Sequence, residues 1–156
     1  ADDMKKHPTV KDDIRKAVDK VVGPLASRKK ILFACEDNAF LSQMAGAFAQ
    51  IMAGDRLDAI TAGVNPARKL DRYMVEAMQE KKIDMEFRGS RPLQEAVAEE
   101  SPEIVVCFDR NTKSIISPDI TREIWEIDRG KENSLENARR IRDDIEKRVS
   151  EYVNTM

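Results

Sequence analysis

Residues 30–45, KILFACEDNAFLSQMA, contain the pattern that decides the fold. The apolar run from Ile31 to Cys35 follows basic residues and predicts a short buried strand. From Leu41 onward, apolar residues recur at helical spacing until Gly54, which predicts a helix. In parallel α/β sheets, the connection from a strand to the next helix is where anions meet free backbone N–H groups.

The rest of the chain continues this alternation of strands and helices. Further strands are predicted at 57–62, 104–108 and 123–127, and further helices at about 70–78, 92–100 and 134–152. This order predicts an α/β fold, a four-stranded parallel sheet with helices on both faces. An extra amphipathic helix is predicted at 10–22, so residues 1–28 form an N-terminal helix and linker and residues 29–156 the main domain.

Composition excludes several classes of partner. The 156 residues include 27 basic and 29 acidic ones, a balance that gives no footprint for nucleic acid or an anionic membrane. No apolar run is long enough to span a bilayer and the N-terminus lacks a secretory signal, so we expect a cytoplasmic protein. Cys35, Cys107 and His7 have no metal-ligand spacing, and we expect neither a metal nor a cofactor.

The segment LFACEDNAFLSQMA resembles the catalytic loop of low-molecular-weight protein-tyrosine phosphatases and of the arsenate reductases built on the same fold. Shared residues include Cys35, Asn38 and Ser42, and further matches follow in order at Ala62-Gly63, Arg91-Pro92-Leu93, Cys107-Phe108-Asp109 and Trp125-Glu126-Ile127. The resemblance implies that Cys35 is the nucleophile. It also implies that the loop residues Asn38, Ala39, Phe40, Leu41 and Ser42 surround a small oxyanion or phosphorylated ligand.

The same loop departs from the family pattern in its charges. Leu41 stands where the resemblance implies an oxyanion-binding arginine, and losing that arginine should cost about 2–5 kcal/mol of anion stabilisation. Glu36 and Asp37 add two carboxylates, which should repel an anion and raise the pKa of Cys35. Arg129 and Arg110 are candidate replacement cations.

Two further parts of the family machinery are altered. The resemblance implies that Asp128 is the general acid. An alignment shifted by one residue would instead place Arg129 at the position of the acid. Asp128 is equally typical of a turn residue before Gly130. Residues 108–122 contain no cysteine, so the three-thiol relay of thioredoxin-coupled arsenate reductases cannot operate within this chain. Cys107 lies inside a strand and is predicted to be a core residue.

Several interpretations of these residues stay open on sequence alone. Cys35 is either a nucleophile or a small residue that ends a buried strand, and Ser42 either bonds the thiolate or caps the helix. The chain is accordingly a divergent phosphatase or arsenate reductase of weak or altered activity, a silent pseudophosphatase acting as a binding or regulatory domain, or a thiol sensor. The apolar stripe of the 10–22 helix needs covering, and self-association through it is one expectation.

Overall fold

The computed structural model describes residues 28–156, and the predicted helix at 10–22 lies outside them. Within the described residues the chain forms four strands and five helices. In chain order these are β1 Lys29–Cys35, α1 Leu41–Ala53, β2 Leu57–Gly63, α2 Arg72–Gln79, α3 Leu93–Glu100, β3 Ile104–Cys107, α4 Arg110–Ile115, β4 Thr121–Ile124 and α5 Leu135–Asn154.

The four strands form one parallel sheet in the order β2-β1-β3-β4. β1 lies inside the sheet and pairs with β2 along its whole length, so that Cys35 is level with Gly63. The carboxyl ends of these two strands therefore meet at one edge, where ligands bind in open α/β sheets. The predicted four-stranded parallel sheet with helices on both faces is confirmed.

Alternate residues of β1 point into two separate cores, as the two-residue period of a strand requires. Ile31 and Phe33 belong to the larger core, with residues of α1, α2 and α5, while Leu32 and Ala34 pack against Leu93 of α3. Because all of these side chains are buried, both faces of the strand are anchored and its end is held in place. No helix within residues 28–156 is both long enough and apolar enough to cross a membrane.

Two sequence predictions differ from the structure. The fourth strand was predicted at 123–127, but β4 covers Thr121–Ile124, because the short β3 fixes its register and pairs Cys107 with Ile124. Trp125 follows the strand, and its ring packs 5.6 Å from that of Phe33. Helix α4 was not predicted, since RNTKSI has no apolar period and depends on the Asp109 carboxylate that caps it.

Gly63 allows the loop after β1 to approach the end of β2. A Cβ on residue 63 would lie 2.8 Å from both the Cβ and the backbone N of Asn38. We expect Gly63→Ala to lower the free energy of unfolding by about 1–3 kcal/mol in urea denaturation, because backbone has to move. Gly89→Ala is the matched control, since nothing lies within 4 Å of its added Cβ. Equal effects of the two substitutions would contradict this account.

Candidate functional site

The loop between β1 and α1 is fastened to the segment that follows β2. Three consecutive loop carbonyls accept hydrogen bonds from backbone N–H groups of that segment: Cys35 from Val64 at 3.2 Å, Glu36 from Asn65 at 2.8 Å and Asp37 from Ala67 at 2.9 Å. The chain folds this way because β1 and β2 end side by side. The backbone of the loop is therefore held from outside, which leaves its inner side facing the Cys35 thiol.

Asn38 braces the loop from inside. Its backbone is left-handed, with φ of 53°, a conformation that asparagine tolerates better than most residues. The buried side chain donates from Nδ2 to Ser42 Oγ at 2.8 Å and accepts at Oδ1 from the Arg91 amide at 3.0 Å. Its carbonyl accepts from Gln43 Nε2 at 2.9 Å. The side chain and backbone of one residue thus tie the loop to α1 and to the segment before α3.

The Cys35 thiol is buried beside Ser42. Its Sγ lies 2.9 Å from Ser42 Oγ, so Ser42 is a thiol partner, and the alternative that it caps α1 is wrong because Phe40 precedes the helix. Burial raises the pKa of the Cys35 thiol, with a smaller contribution from the Asp37 carboxylate, and the hydrogen bonds from Ser42 lower it in part. The net result is a thiol that is harder to ionise than an ordinary one.

The Asp37 carboxylate turns back over the thiol. Its Oδ1 lies 3.6 Å from Cys35 Sγ and accepts the Ala39 backbone N–H at 3.0 Å. An oxyanion attacked by Cys35 would have to lie within reach of both the sulfur and the N–H groups of the loop. One N–H group of the loop is therefore already bonded to Asp37, whose charge would repel an anion held at the sulfur.

Glu36 is directed elsewhere. Its carboxylate accepts from Asn65 Nδ2 at 2.7 Å and from Asn111 Nδ2, at the start of α4, at 3.5 Å. The prediction that both acidic residues raise the pKa of Cys35 is thus corrected: burial and Asp37 raise it, while the Glu36 carboxylate bonds to Asn65 and Asn111 instead.

Leu41 is part of the protein core. It is 3% exposed and packs in the larger core. Residue 41 therefore contributes an apolar side chain, whose burial stabilises the junction between the loop and the helix. Arg129 lies nearby, with its guanidinium carbon 5.7 Å from the centre of the Phe40 ring, a cation–π contact at the edge of the loop.

Within residues 28–156, neither Asp128 nor Arg110 forms a hydrogen bond with Cys35. The Asp128 carboxylate accepts the Gly130 N–H at 2.9 Å and closes a turn in which Gly130 has a φ of 65°. Arg110 lines a separate surface cavity together with Lys113 and Arg122. Asp128 as an acid and Arg110 as a loop cation therefore stay predictions, and the turn interpretation of Asp128 matches its contacts.

Cys107 is fully buried in β3, as predicted, and burial raises the pKa of its thiol to about 12. Such a thiol is inert at neutral pH. Within residues 28–156, no group of three or more His, Cys, Asp or Glu side chains is placed to hold a metal ion.

The sequence analysis does not predict that Gln43 links the loop to the segment before α3. This residue is fully buried, and its Nε2 joins the Asn38 carbonyl of the loop to the Gly89 carbonyl at 3.1 Å. Gln43 is a polar residue among the apolar residues of α1, and this pattern indicates a buried amide with hydrogen-bond partners elsewhere in the fold.

Comparison with known proteins decides the family. The model of the low molecular weight phosphotyrosine protein phosphatase family matches residues 30–156. The chain belongs to this family. A putative arsenate reductase of Halobacterium salinarum is 32% identical over 128 residues, covering 79% of this chain and 89% of the relative. Arsenate reductase 1 of Staphylococcus haemolyticus is 28% identical over 131 residues, covering 83% and 98%.

The low-molecular-weight phosphatase fold also appears in solved structures. A YwlE mutant from Bacillus subtilis superimposes with a TM-score of 0.71 at 23% identity, covering 81% of this chain and 97% of the other. The phosphatase-like and arsenate-reductase-like resemblance stated from the sequence is therefore confirmed at the level of family and fold.

The position of Asp37 generates a prediction for the ionisation of Cys35. We expect alkylation by iodoacetamide, measured against pH and assigned to Cys35 by peptide mass, to give an apparent pKa above about 8.5. Asp37→Asn should lower this pKa, because it removes the negative charge beside the sulfur. Glu36→Gln is the matched control and should leave the pKa unchanged, since that carboxylate contacts Asn65 instead. A thiol pKa below about 8.5 in the unmodified protein would contradict burial as the dominant influence and revive the thiol-sensor interpretation.

Proposed function

We propose that this chain is a family member in which the Cys35 loop no longer processes phosphate esters or arsenate, and that the domain serves as a binding or regulatory module. The position of the Asp37 carboxylate, on the Ala39 N–H and beside the Cys35 sulfur, is the observation that carries this proposal. An incoming oxyanion would have to displace that carboxylate or share the space with it.

The energies point in the same direction. A carboxylate about 4–5 Å from a bound anion repels it by about 3–4 kcal/mol at an effective dielectric constant of 20. The absence of a guanidinium at residue 41 adds about 2–5 kcal/mol of lost anion stabilisation. Since each 1.4 kcal/mol is about a factor of ten in rate, the two effects together suppress turnover by several orders of magnitude.

The second candidate function is a weak or altered enzyme. One observation favours it: the Cys35–Ser42 contact of 2.9 Å and the Asn38–Ser42 bond of 2.8 Å are intact. In that case Cys35 is the nucleophile, Asp128 the acid, and Arg129 a displaced cation at the edge of the loop. Two relatives are named as arsenate reductases, so arsenate is the substrate that this alternative would take.

Hydrolysis of an aryl phosphate separates the two functions. We expect para-nitrophenyl phosphate to be hydrolysed no faster than by a Cys35→Ser variant, because the oxyanion space is occupied and the thiol is protonated. The release of nitrophenol is measured at several pH values between about 5 and 8, where a thiol with an unperturbed or raised pKa is mostly protonated. Turnover that disappears in Cys35→Ser would establish the enzyme instead.

Restoring the charges of the loop should restore anion binding. We expect the double variant Asp37→Gly, Leu41→Arg to bind inorganic phosphate at least about tenfold more tightly than the unmodified protein in calorimetry. Asp37→Gly alone should give part of the gain, and it avoids placing a charge at the buried position of Leu41. Asp119→Gly, at an exposed carboxylate without an ion pair in residues 28–156, controls for the loss of one negative charge. If the unmodified protein already binds phosphate at the loop with micromolar affinity, the proposal fails.

A further inference from the structure

A surface cavity of about 460 Å³ lies between the start of α2 and the segment before α3. Its charged lining consists of four basic and two acidic residues, Arg68, Lys69, Arg72, Arg88, Glu76 and Glu86. Arg72 is compensated, since its Nε lies 3.6 Å from a Glu76 carboxylate oxygen. Arg68, Lys69 and Arg88 form no ion pair with any other residue of 28–156, so the cavity keeps an excess of positive charge.

Arg88 marks the position of a missing acceptor. Its Nε is buried and has no hydrogen-bond partner among the described residues. The guanidinium carbon lies over the Phe87 ring, 5.4 Å from its centre. Burial lowers the pKa of this guanidinium, because desolvation penalises the charged form. The Nε atom itself is inaccessible, so an anion in the cavity would accept from the terminal N–H groups of Arg88, and its charge would offset the cost of burying the cation.

The cavity is distinct from the Cys35 loop, but hydrogen bonds connect its walls to the loop. None of the residues that line the cavity belongs to the loop. Its two walls are nevertheless tied to the loop side, one by the Asp71 N–H that donates to the Ala39 carbonyl at 3.0 Å, the other by the Gln43 bond to Gly89. A ligand in this cavity would therefore touch the framework that positions the loop without contacting the thiol.

We propose that this cavity binds a phosphate-type oxyanion through Arg88, together with Arg68 and Lys69. A planar guanidinium with free N–H groups matches two oxygens of a phosphate, and the neighbouring cations supply further charge. Leu70 and Val75, on the same wall, offer an apolar surface to the organic part of a phosphate monoester. The ligand is thus the phosphate group of a small ester or of a phosphorylated side chain, and binding there requires no activity of Cys35.

Calorimetry of the full chain in low-salt buffer tests the proposal with inorganic phosphate, free O-phosphoserine and a phosphoserine peptide with neutral flanks. We expect Arg88→Gln to weaken binding of all three probes by about tenfold or more. Arg68→Gln, at an exposed residue that does not endanger folding, should weaken it several-fold. Lys147→Gln is the matched control, because Lys147 is also an exposed cation but does not line this cavity.

The outcomes separate the ligand sources and the sites. Peptide binding about tenfold tighter than that of free phosphoserine indicates a phosphorylated protein partner, while equal binding indicates a small phosphate ester; both support the site. Absence of phosphate binding up to about 10 mM, or an equal loss in Lys147→Gln and Arg88→Gln, overturns it. Binding that is lost in Cys35→Ser assigns the anion to the loop and overturns it as well. Turnover of an aryl phosphate is a separate measurement, so the two proposals can fail independently.

Discussion

The hydrogen bonds of Asn38 hold the site of this protein in one shape. The residue is buried, adopts a left-handed backbone and joins Ser42 to the Arg91 amide through the two ends of its side chain. Because a buried amide that loses a partner is costly, these bonds reinforce one another and define where the loop turns. The contact between the Cys35 thiol and Ser42 at the start of α1 depends on that turn.

The loop after β1 combines a buried thiol with an acidic side chain and an apolar one. The Cys35 thiol and the Ser42 hydroxyl are in contact within the loop, as the family resemblance implies. The acidic Asp37 now faces the sulfur, and the apolar Leu41 enters the core. Backbone geometry depends on pairing and packing, whereas anion affinity depends on a few charges, so one can persist while the other is lost.

Positive charge is instead found beside the loop. Arg88 and its basic neighbours face a cavity that shares its walls with the loop framework. Gln43 and Asp71 connect the two regions through hydrogen bonds. Under the two proposals made above, the domain would recognise a phosphate group without hydrolysing it.

The sequence alone is enough to predict the fold class, the position of the loop and the apolar character of residue 41. Strand and helix periods, and the change of residue at Leu41, are local features that depend on neighbours in the chain. The tertiary structure alone decided the register of β4, the opposite directions of the Glu36 and Asp37 side chains, and the grouping of Arg68 with Arg88. These features depend on which distant segments pack together, and a side chain in a loop takes its direction from the acceptors and donors that packing brings within reach.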